Sequence, residues 1–82
     1  MIIVSIKDTV ANAFFEPRVA ANAMAAIREF KLVAGEPSDS LLYKRAEDFQ
    51  MWQLGTWDPE TGKIEYLPVQ LAQGVKNVRN ES

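Results

Sequence analysis

The feature that most constrains the fold of this chain is a five-residue turn between two β-rich segments. The turn reads Asp-Pro-Glu-Thr-Gly at residues 58–62, and aromatic and β-branched side chains enrich residues 49–57 before it and 63–67 after it. Asp, then Pro, then a closing Gly suit a type I turn followed by a left-handed residue, a common hairpin connection. The sequence therefore predicts a β-hairpin over residues 49–67, with Gly62 at positive φ.

Two further elements precede the hairpin. Alternation of Ile2, Val4 and Ile6 with their neighbours predicts a first strand that is buried more on one side. A helical pattern follows, in which these apolar residues recur at spacings of three and four: Ala20, Ala23, Met24, Ile27, Phe30 and Ala34. The helix is expected to begin at residue 19 or 22, with Asn22 as N-cap in the second case, and to end before Gly35. Residues 8–18 suit a loop or a short edge strand, and residues 41–45 a short helical turn or an anchored loop.

The order β, α, β, β predicts an α+β, two-layer domain with one amphipathic helix on a three-stranded, mainly antiparallel sheet. The chain has 82 residues, which is room for a single domain. We expect that domain to span residues 1–69, and residues 70–82 to form a partly disordered C-terminal tail. One helix covers one face of such a sheet, so aromatic side chains remain exposed on the other unless copies associate. A homodimer or higher homo-oligomer is therefore predicted.

Several chemical classes are excluded by composition. The sequence has no histidine and no cysteine, which removes Ser-His and Cys-His nucleophiles and histidine or thiolate metal ligands. The carboxylates at residues 47–48 and 58–60 suit a cap and a turn, and the four glycines are isolated, so no phosphate-binding loop is expected. We expect no enzymatic activity, no catalytic residue, no cofactor and no metal site. The apolar run at residues 1–6 is too short for a membrane span, so a cytosolic protein without a membrane partner is expected.

Aromatic residues on the predicted strands lie near isolated basic residues, a combination that can hold single-stranded nucleic acid by stacking bases on the rings. The candidate nucleic-acid-binding residues are Lys7, Arg18, Arg28, Lys31, Lys44, Arg45, Trp52, Trp57, Lys63 and Tyr66. Alternatively, the rings form the core or an oligomer interface. The residues alone favour this second interpretation, because residues 47–66 carry one basic and five acidic groups and would repel phosphates.

Four short blocks carry a family resemblance: Ala-Ile-Arg-Glu-Phe at 26–30, Glu-Asp-Phe at 47–49, Leu-Gly-Thr-Trp-Asp at 54–58 and Thr-Gly-Lys-Ile at 61–64. The chain resembles the small nonstructural protein of gokushoviruses, which are single-stranded DNA bacteriophages of the Microviridae. The resemblance is in these blocks, in the spacing between them and in the total length of the chain. The resemblance extends from the first strand to about residue 67. The chain departs from it at Arg45-Ala46, where the family pattern has His-Pro, and in the alanine-rich start of the helix.

The resemblance implies a protein made in the host bacterial cytoplasm and not packaged in the capsid. It also implies DNA binding, with single-stranded DNA as the partner the aromatic strands suit, and a part in switching genome replication from double-stranded to single-stranded synthesis. The alternative is a protein-protein interaction module that acts on a host or viral replication protein without contacting DNA. The acidic hairpin favours this alternative.

Overall fold

The structure, a computed structural model, describes residues 1–77 and is an α+β fold built on a mainly antiparallel sheet. Its elements are, in chain order, β1 (Ile2–Asp8), β2 (Ala13–Phe14), β3 (Arg18–Ala20), α1 (Ala23–Gly35), α2 (Leu41–Lys44), a 3₁₀ turn (Ala46–Asp48), β4 (Phe49–Trp57) and β5 (Ile64–Gln73). The predicted class is confirmed, and the short helical turn at α2 is the first of the two alternatives expected there.

The sheet has five strands where three were predicted. Its order is β2-β1-β4-β5, and β3 pairs with the same edge of β1 as β2. All of these pairs are antiparallel. Strand β2 is the short edge strand that was one of the two alternatives for residues 8–18. With two and three residues, β2 and β3 are too short to leave an alternating pattern in the sequence.

The predicted hairpin is confirmed as β4 and β5. At its turn, the N–H of Asp58 donates to the carbonyl of Lys63 at 3.0 Å, and the N–H of Gly62 donates to the carbonyl of Asp58 at 2.7 Å. Gly62 has φ of 75°, the left-handed conformation expected of it. The second strand is longer than predicted and extends to Gln73.

The segment after residue 69 continues the domain for several residues. After β5, the N–H of Gly74 donates to the carbonyl of Phe49 at 2.8 Å. The side-chain amide of Asn77 then donates to the carbonyls of Ala34, at 2.7 Å, and Tyr43, at 2.9 Å. These carbonyls lie at the ends of α1 and α2, where backbone acceptors lack helical partners. The rest of the predicted tail, residues 78–82, lies outside the described residues.

Helix α1 begins where the cap predicts, because the side chain of Asn22 accepts a hydrogen bond from the N–H of Ala25 at 2.8 Å. Its buried residues are Ala26, Phe30 and Ala34. Met24 was predicted on the buried stripe and is instead 74% exposed. The reason is geometric: each three-residue step falls about 60° short of a full turn, so two steps from Phe30 rotate residue 24 out of the core.

The core lies between α1 and the central strands β1 and β4. Its largest fully buried side chains are Phe30, Phe49, Met51 and Val4, with Ile2 and Ile6 packed against them. Strand β5 differs from β4, because residues 64–70 are all exposed. Helix α1 therefore covers one face of the sheet. The opposite face is partly exposed: Ser5 in β1 is buried there, whereas its positions on β5 are exposed.

Candidate nucleic-acid interface

The uncovered face of the sheet is defined by strand register. Directly opposed residues of antiparallel strands share a face, and Ile3, Ser5 and Lys7 alternate with the residues of β1 that pack toward α1. We call the face opposite α1 the open face. Following the registers from β1 outward, its positions are Ile3, Ser5, Lys7, Phe14, Val19, Gln50, Trp52, Gly55, Trp57, Ile64, Tyr66, Gln70 and Gln73.

A basic and aromatic cluster lies at one end of the open face. The Nζ of Lys7 is 5.5 Å from the ring centroid of Phe14 and also 5.5 Å from that of Trp52. The two rings meet edge to face, with centroids 6.0 Å apart and planes at 87°. These distances are within the range of cation–π attraction, which holds the ammonium against the rings. We call these three side chains the Lys7 cluster.

Glutamine side chains hold the strands beside the Lys7 cluster. The indole N–H of Trp52 donates to Oε1 of Gln50 at 2.9 Å, and the amide of Gln50 donates to Oε1 of Gln73, also at 2.9 Å. The amide of Gln73 donates in turn to the carbonyl of Phe49 at 3.2 Å. The Trp52 ring is therefore oriented by a series of three hydrogen bonds that ends at the backbone carbonyl of Phe49.

The other end of the open face is apolar. It carries Ile3, Val19, Trp57, Ile64 and Tyr66, and the first four of these line a shallow depression of about 280 Å³ together with Pro17 and Arg18. Ile64 and Tyr66 are 67% and 71% exposed. This end, which we call the distal patch, brings together the predicted site residues Trp57 and Tyr66. A third, Arg18, lines the depression from a register position on the covered side.

The acidic groups of the hairpin do not lie on the open face. Glu65 is opposite Thr56, which is opposite Ile2 on the covered side, while Asp58 and Glu60 are in the turn. Within residues 1–77 no open-face position holds a carboxylate, and Lys7 is its one charged residue. The net charge counted along the sequence therefore overstated the repulsion that a phosphate would meet at the rings of Phe14 and Trp52. Trp57 differs, because Asp58 and Glu65 line a depression beside it.

Most of the other predicted basic residues are placed elsewhere. Arg18 and Glu29 form an ion pair at 2.6 Å that joins β3 to α1, and the hydrogen bond from Arg18 lowers the pKa of Glu29. The remaining candidates occupy three separate regions: Arg28 and Lys31 on α1, Lys44 and Arg45 at the end of α2, and Lys63 beside the hairpin turn. The Nζ of Lys44 is 3.7 Å from a carboxylate oxygen of Asp39. The fold thus joins Lys7 to Trp52 and scatters the other cations.

One residue of the cluster, Phe14, was missed by sequence reasoning. It stands in an aromatic pair with Phe15, and that pair was the available signal. Its role depends on β2 pairing with β1, which places Phe14 directly opposite Lys7. A two-residue strand gives no periodic pattern, so this neighbour could not be derived from the sequence.

Two further observations concern the described part of the chain. Among residues 1–77, no group of three or more histidine, cysteine, aspartate or glutamate side chains is arranged to hold a metal ion. Over the same residues, no helix is long and apolar enough to cross a membrane.

Fold and site together define a small α+β domain whose antiparallel sheet is covered on one face and aromatic on the other. A family model described as Phage ORF5 protein matches residues 1–77, and the chain belongs to this family of bacteriophage proteins. The match includes all of β1 to β5 and therefore the whole open face. No curated protein and no solved structure matches the chain.

Proposed function

We propose that this phage protein is a nonstructural protein of the gokushovirus type that binds single-stranded DNA through the Lys7 cluster in the host cytoplasm. By holding the single strand it helps to switch genome replication from double-stranded to single-stranded synthesis. The family match supports the phage assignment, and the resemblance to gokushovirus proteins supports the replication role. The observation that carries the proposal is the placement of two rings and one ammonium on an uncovered sheet face.

The chemistry of the Lys7 cluster suits an unpaired strand better than a duplex. Bases of a single strand are free to stack on aromatic side chains, and each stacked base contributes roughly 1–3 kcal/mol. Phe14 is 42% exposed, so one ring is open to such contact, and the ammonium of Lys7 lies beside it for a phosphate. A duplex binder would need a concentrated basic surface, whereas the cations here are dispersed.

The proposed activity is binding without catalysis and without a cofactor. Single-strand binding needs only stacking surfaces and nearby positive charge, and the open face has two rings with the ammonium of Lys7 between them. The chain contains no histidine or cysteine to serve as nucleophile or general base. The protein would then act stoichiometrically, in proportion to the amount of single strand present.

Tryptophan fluorescence tests the proposal at its site. The variant Trp57→Phe leaves Trp52 as reporter, and Trp52→Phe leaves Trp57. On titration with oligothymidylate at low salt, we expect stronger quenching of Trp52, because it lies in the Lys7 cluster. Phe14→Ala should weaken binding by roughly 1–3 kcal/mol, and Lys7→Gln should reduce the salt dependence by about one phosphate contact.

The matched control is Lys44→Gln, which removes the same charge from a residue near Asp39 and away from the open face. It should leave the affinity for oligothymidylate nearly unchanged. Absence of binding at low salt would contradict the proposal, and so would equal losses for Lys7→Gln and Lys44→Gln.

A second candidate function is favoured by the scattering of the basic residues. Arg18 is neutralised by Glu29, and Lys7 is the one basic residue on the open face within the described residues. In this alternative the open face binds a host or viral replication protein, and DNA is not contacted. A pull-down from infected cells, with and without nuclease, separates the two, because a protein-only association survives nuclease treatment.

A further inference from the structure

The outer side of α1 carries apolar residues that its own fold does not bury. Met24 and Leu32 are 74% and 64% exposed, although the helix packs its opposite side into the core. Together with Ile27, Arg28 and Lys31 they line a shallow depression of about 380 Å³. We call this depression the α1 groove. It combines an apolar floor with two cations.

The two cations of the α1 groove are uncompensated. Glu29, the carboxylate next to Arg28 in sequence, lies about 100° around the helix from it and pairs with Arg18 instead. In the described part of the chain, neither Arg28 nor Lys31 forms an ion pair. The groove therefore has a net positive charge and suits an acidic occupant with apolar side chains.

The chain itself presents such a segment at its hairpin. Residues 58–67, which we call the hairpin tip, hold three carboxylates and one amine. Leu67, 53% exposed, is two residues from Glu65 and adds an apolar side chain on the same side of β5, whereas Ile64 points to the open face. Asp58 is committed to the turn, because its carboxylate accepts the N–H of Glu60 at 2.9 Å, a hydrogen bond that lowers the pKa of Asp58. The carboxylates of Glu60 and Glu65 have no such role and face solvent.

We propose that the hairpin tip of one copy docks into the α1 groove of a second copy. The charges are opposite, and both surfaces add apolar side chains that a neighbour would remove from water. The tip and the groove share no residue, so the contact is heterologous, and each copy uses both surfaces at once. The expected product is a head-to-tail row of molecules and not a closed two-fold dimer.

Other occupants fit the groove less well. A phosphate backbone gains nothing from Met24 and Leu32, whose exposed side chains are apolar. An anionic membrane surface would require a broader apolar face than three side chains on one helix provide. The acidic and apolar hairpin tip matches both components of the groove.

The contact is expected to be weak in dilute solution. The groove spans about 12 Å of helix, from residue 24 to residue 32, which places it among small, transient interfaces. It gains strength when copies are held side by side, because the second contact then becomes intramolecular. Self-association does not require DNA, so this inference can fail or succeed independently of the proposed DNA binding.

Charge exchange tests the docking. The groove variant Arg28→Glu/Lys31→Glu and the tip variant Glu60→Lys/Glu65→Lys are compared with wild type by sedimentation velocity over a concentration series reaching several hundred micromolar at low salt. We expect wild type to show concentration-dependent association that weakens as salt rises. Each variant alone should lose association by about tenfold or more.

Restoration is the decisive measurement. A four-substitution chain carrying both exchanges should associate again, because its tip and groove are complementary with reversed signs. A mixture of the groove variant and the tip variant should also form complexes. The matched controls are Lys44→Glu/Arg45→Glu and Glu16→Lys/Glu36→Lys, which make the same charge changes at exposed residues outside both surfaces and should associate like wild type.

Several outcomes would overturn the proposal. One is a strictly monomeric wild-type protein at every concentration, and another is a four-substitution chain that stays dissociated although circular dichroism shows it folded. Equal loss in the controls would assign the effect to net charge and not to docking. Binding of oligothymidylate or of phosphatidylglycerol vesicles that depends on Arg28 and Lys31, without self-association, would give the groove to another occupant.

Discussion

The covered face and the open face of the sheet are made by the same strands but differ in how far their side chains are exposed to solvent. On the covered face, Val4, Phe49 and Met51 are buried beneath Phe30 of α1. On the open face, Ile64 and Tyr66 remain largely in solvent, although they are as apolar as many core residues. Successive strand residues point to opposite faces of the sheet. When both sets of positions include apolar residues, the sheet has more apolar surface than a single helix can cover. The excess is the surface available for binding.

The largest expected effect is a difference between the two faces in how much a substitution lowers the free energy of unfolding. Phe30→Ala empties the centre of the covered face and should lower the free energy of unfolding by about 3–5 kcal/mol. Tyr66→Ala removes a side chain that is 71% exposed and should change it by less than about 0.5 kcal/mol. Urea denaturation followed by circular dichroism measures both.

A small domain has a narrow margin of stability, so Phe30→Ala could be unfolded before any urea is added. Phe30→Leu then supplies the measurement, with an expected loss below about 1.5 kcal/mol. If Tyr66→Ala destabilised the protein as much as Phe30→Leu, the open face would be structural, and its proposed role in binding would be weakened.

The next effect concerns the close contact between Gly74, which follows β5, and Ala46 of the 3₁₀ turn. Gly74 lies where a Cβ would collide with the backbone carbonyl of Ala46, and the N–H of Gly74 is bonded to Phe49. Gly74→Ala should therefore cost about 1–3 kcal/mol, since backbone cannot yield as a flexible side chain does. Gly35→Ala is the matched control, because a Cβ there meets nothing within 4 Å, and it should be neutral or slightly stabilising. Thermal unfolding of the two variants shows whether they differ.

The hairpin, the N-terminal strand and α1 could be predicted because each leaves a local signal. Turn residues 58–62, alternation in β1 and the Asn22 cap all depend on neighbours close in sequence. For residues 8–18 the sequence left a loop and a short edge strand open, and β2 bears out the second. It could not give the bounds of β2 or the existence of β3, because their pairing with β1 is decided by the tertiary fold. The error at Met24 has a related origin, since a stripe of three-residue spacings rotates slowly around the helix.

The candidate site was predictable only in part, for the same reason. Lys7 and Trp52 were named from residue type, but their proximity depends on the register between β1 and β4. The location of the hairpin carboxylates also depends on register, and the sequence could only count them. Charge per segment is a property of the sequence, whereas charge per face is a property of the fold.

The smallest expected effect concerns the ion pair between Arg18 of β3 and Glu29 of α1. Glu29 accepts a hydrogen bond from Arg18 at 2.6 Å, and this bond, with the charge of Arg18, lowers the pKa of the carboxyl. A carboxyl whose pKa is lower in the folded state contributes stability above its unfolded pKa. That contribution is lost as the pH falls through the lowered value. The pair is exposed, so the contribution should be small.

Arg18→Gln should raise the pKa of Glu29 toward its usual value, which an NMR titration of the side-chain carboxyl carbon would record. The variant should also lose less stability on acidification than the wild type, because it no longer has the ion pair to lose. If the pKa of Glu29 stayed low in Arg18→Gln, a group other than Arg18 would hold it. Glu29 would then be available to the cations of the α1 groove, and the positive charge inferred for that groove would be reduced.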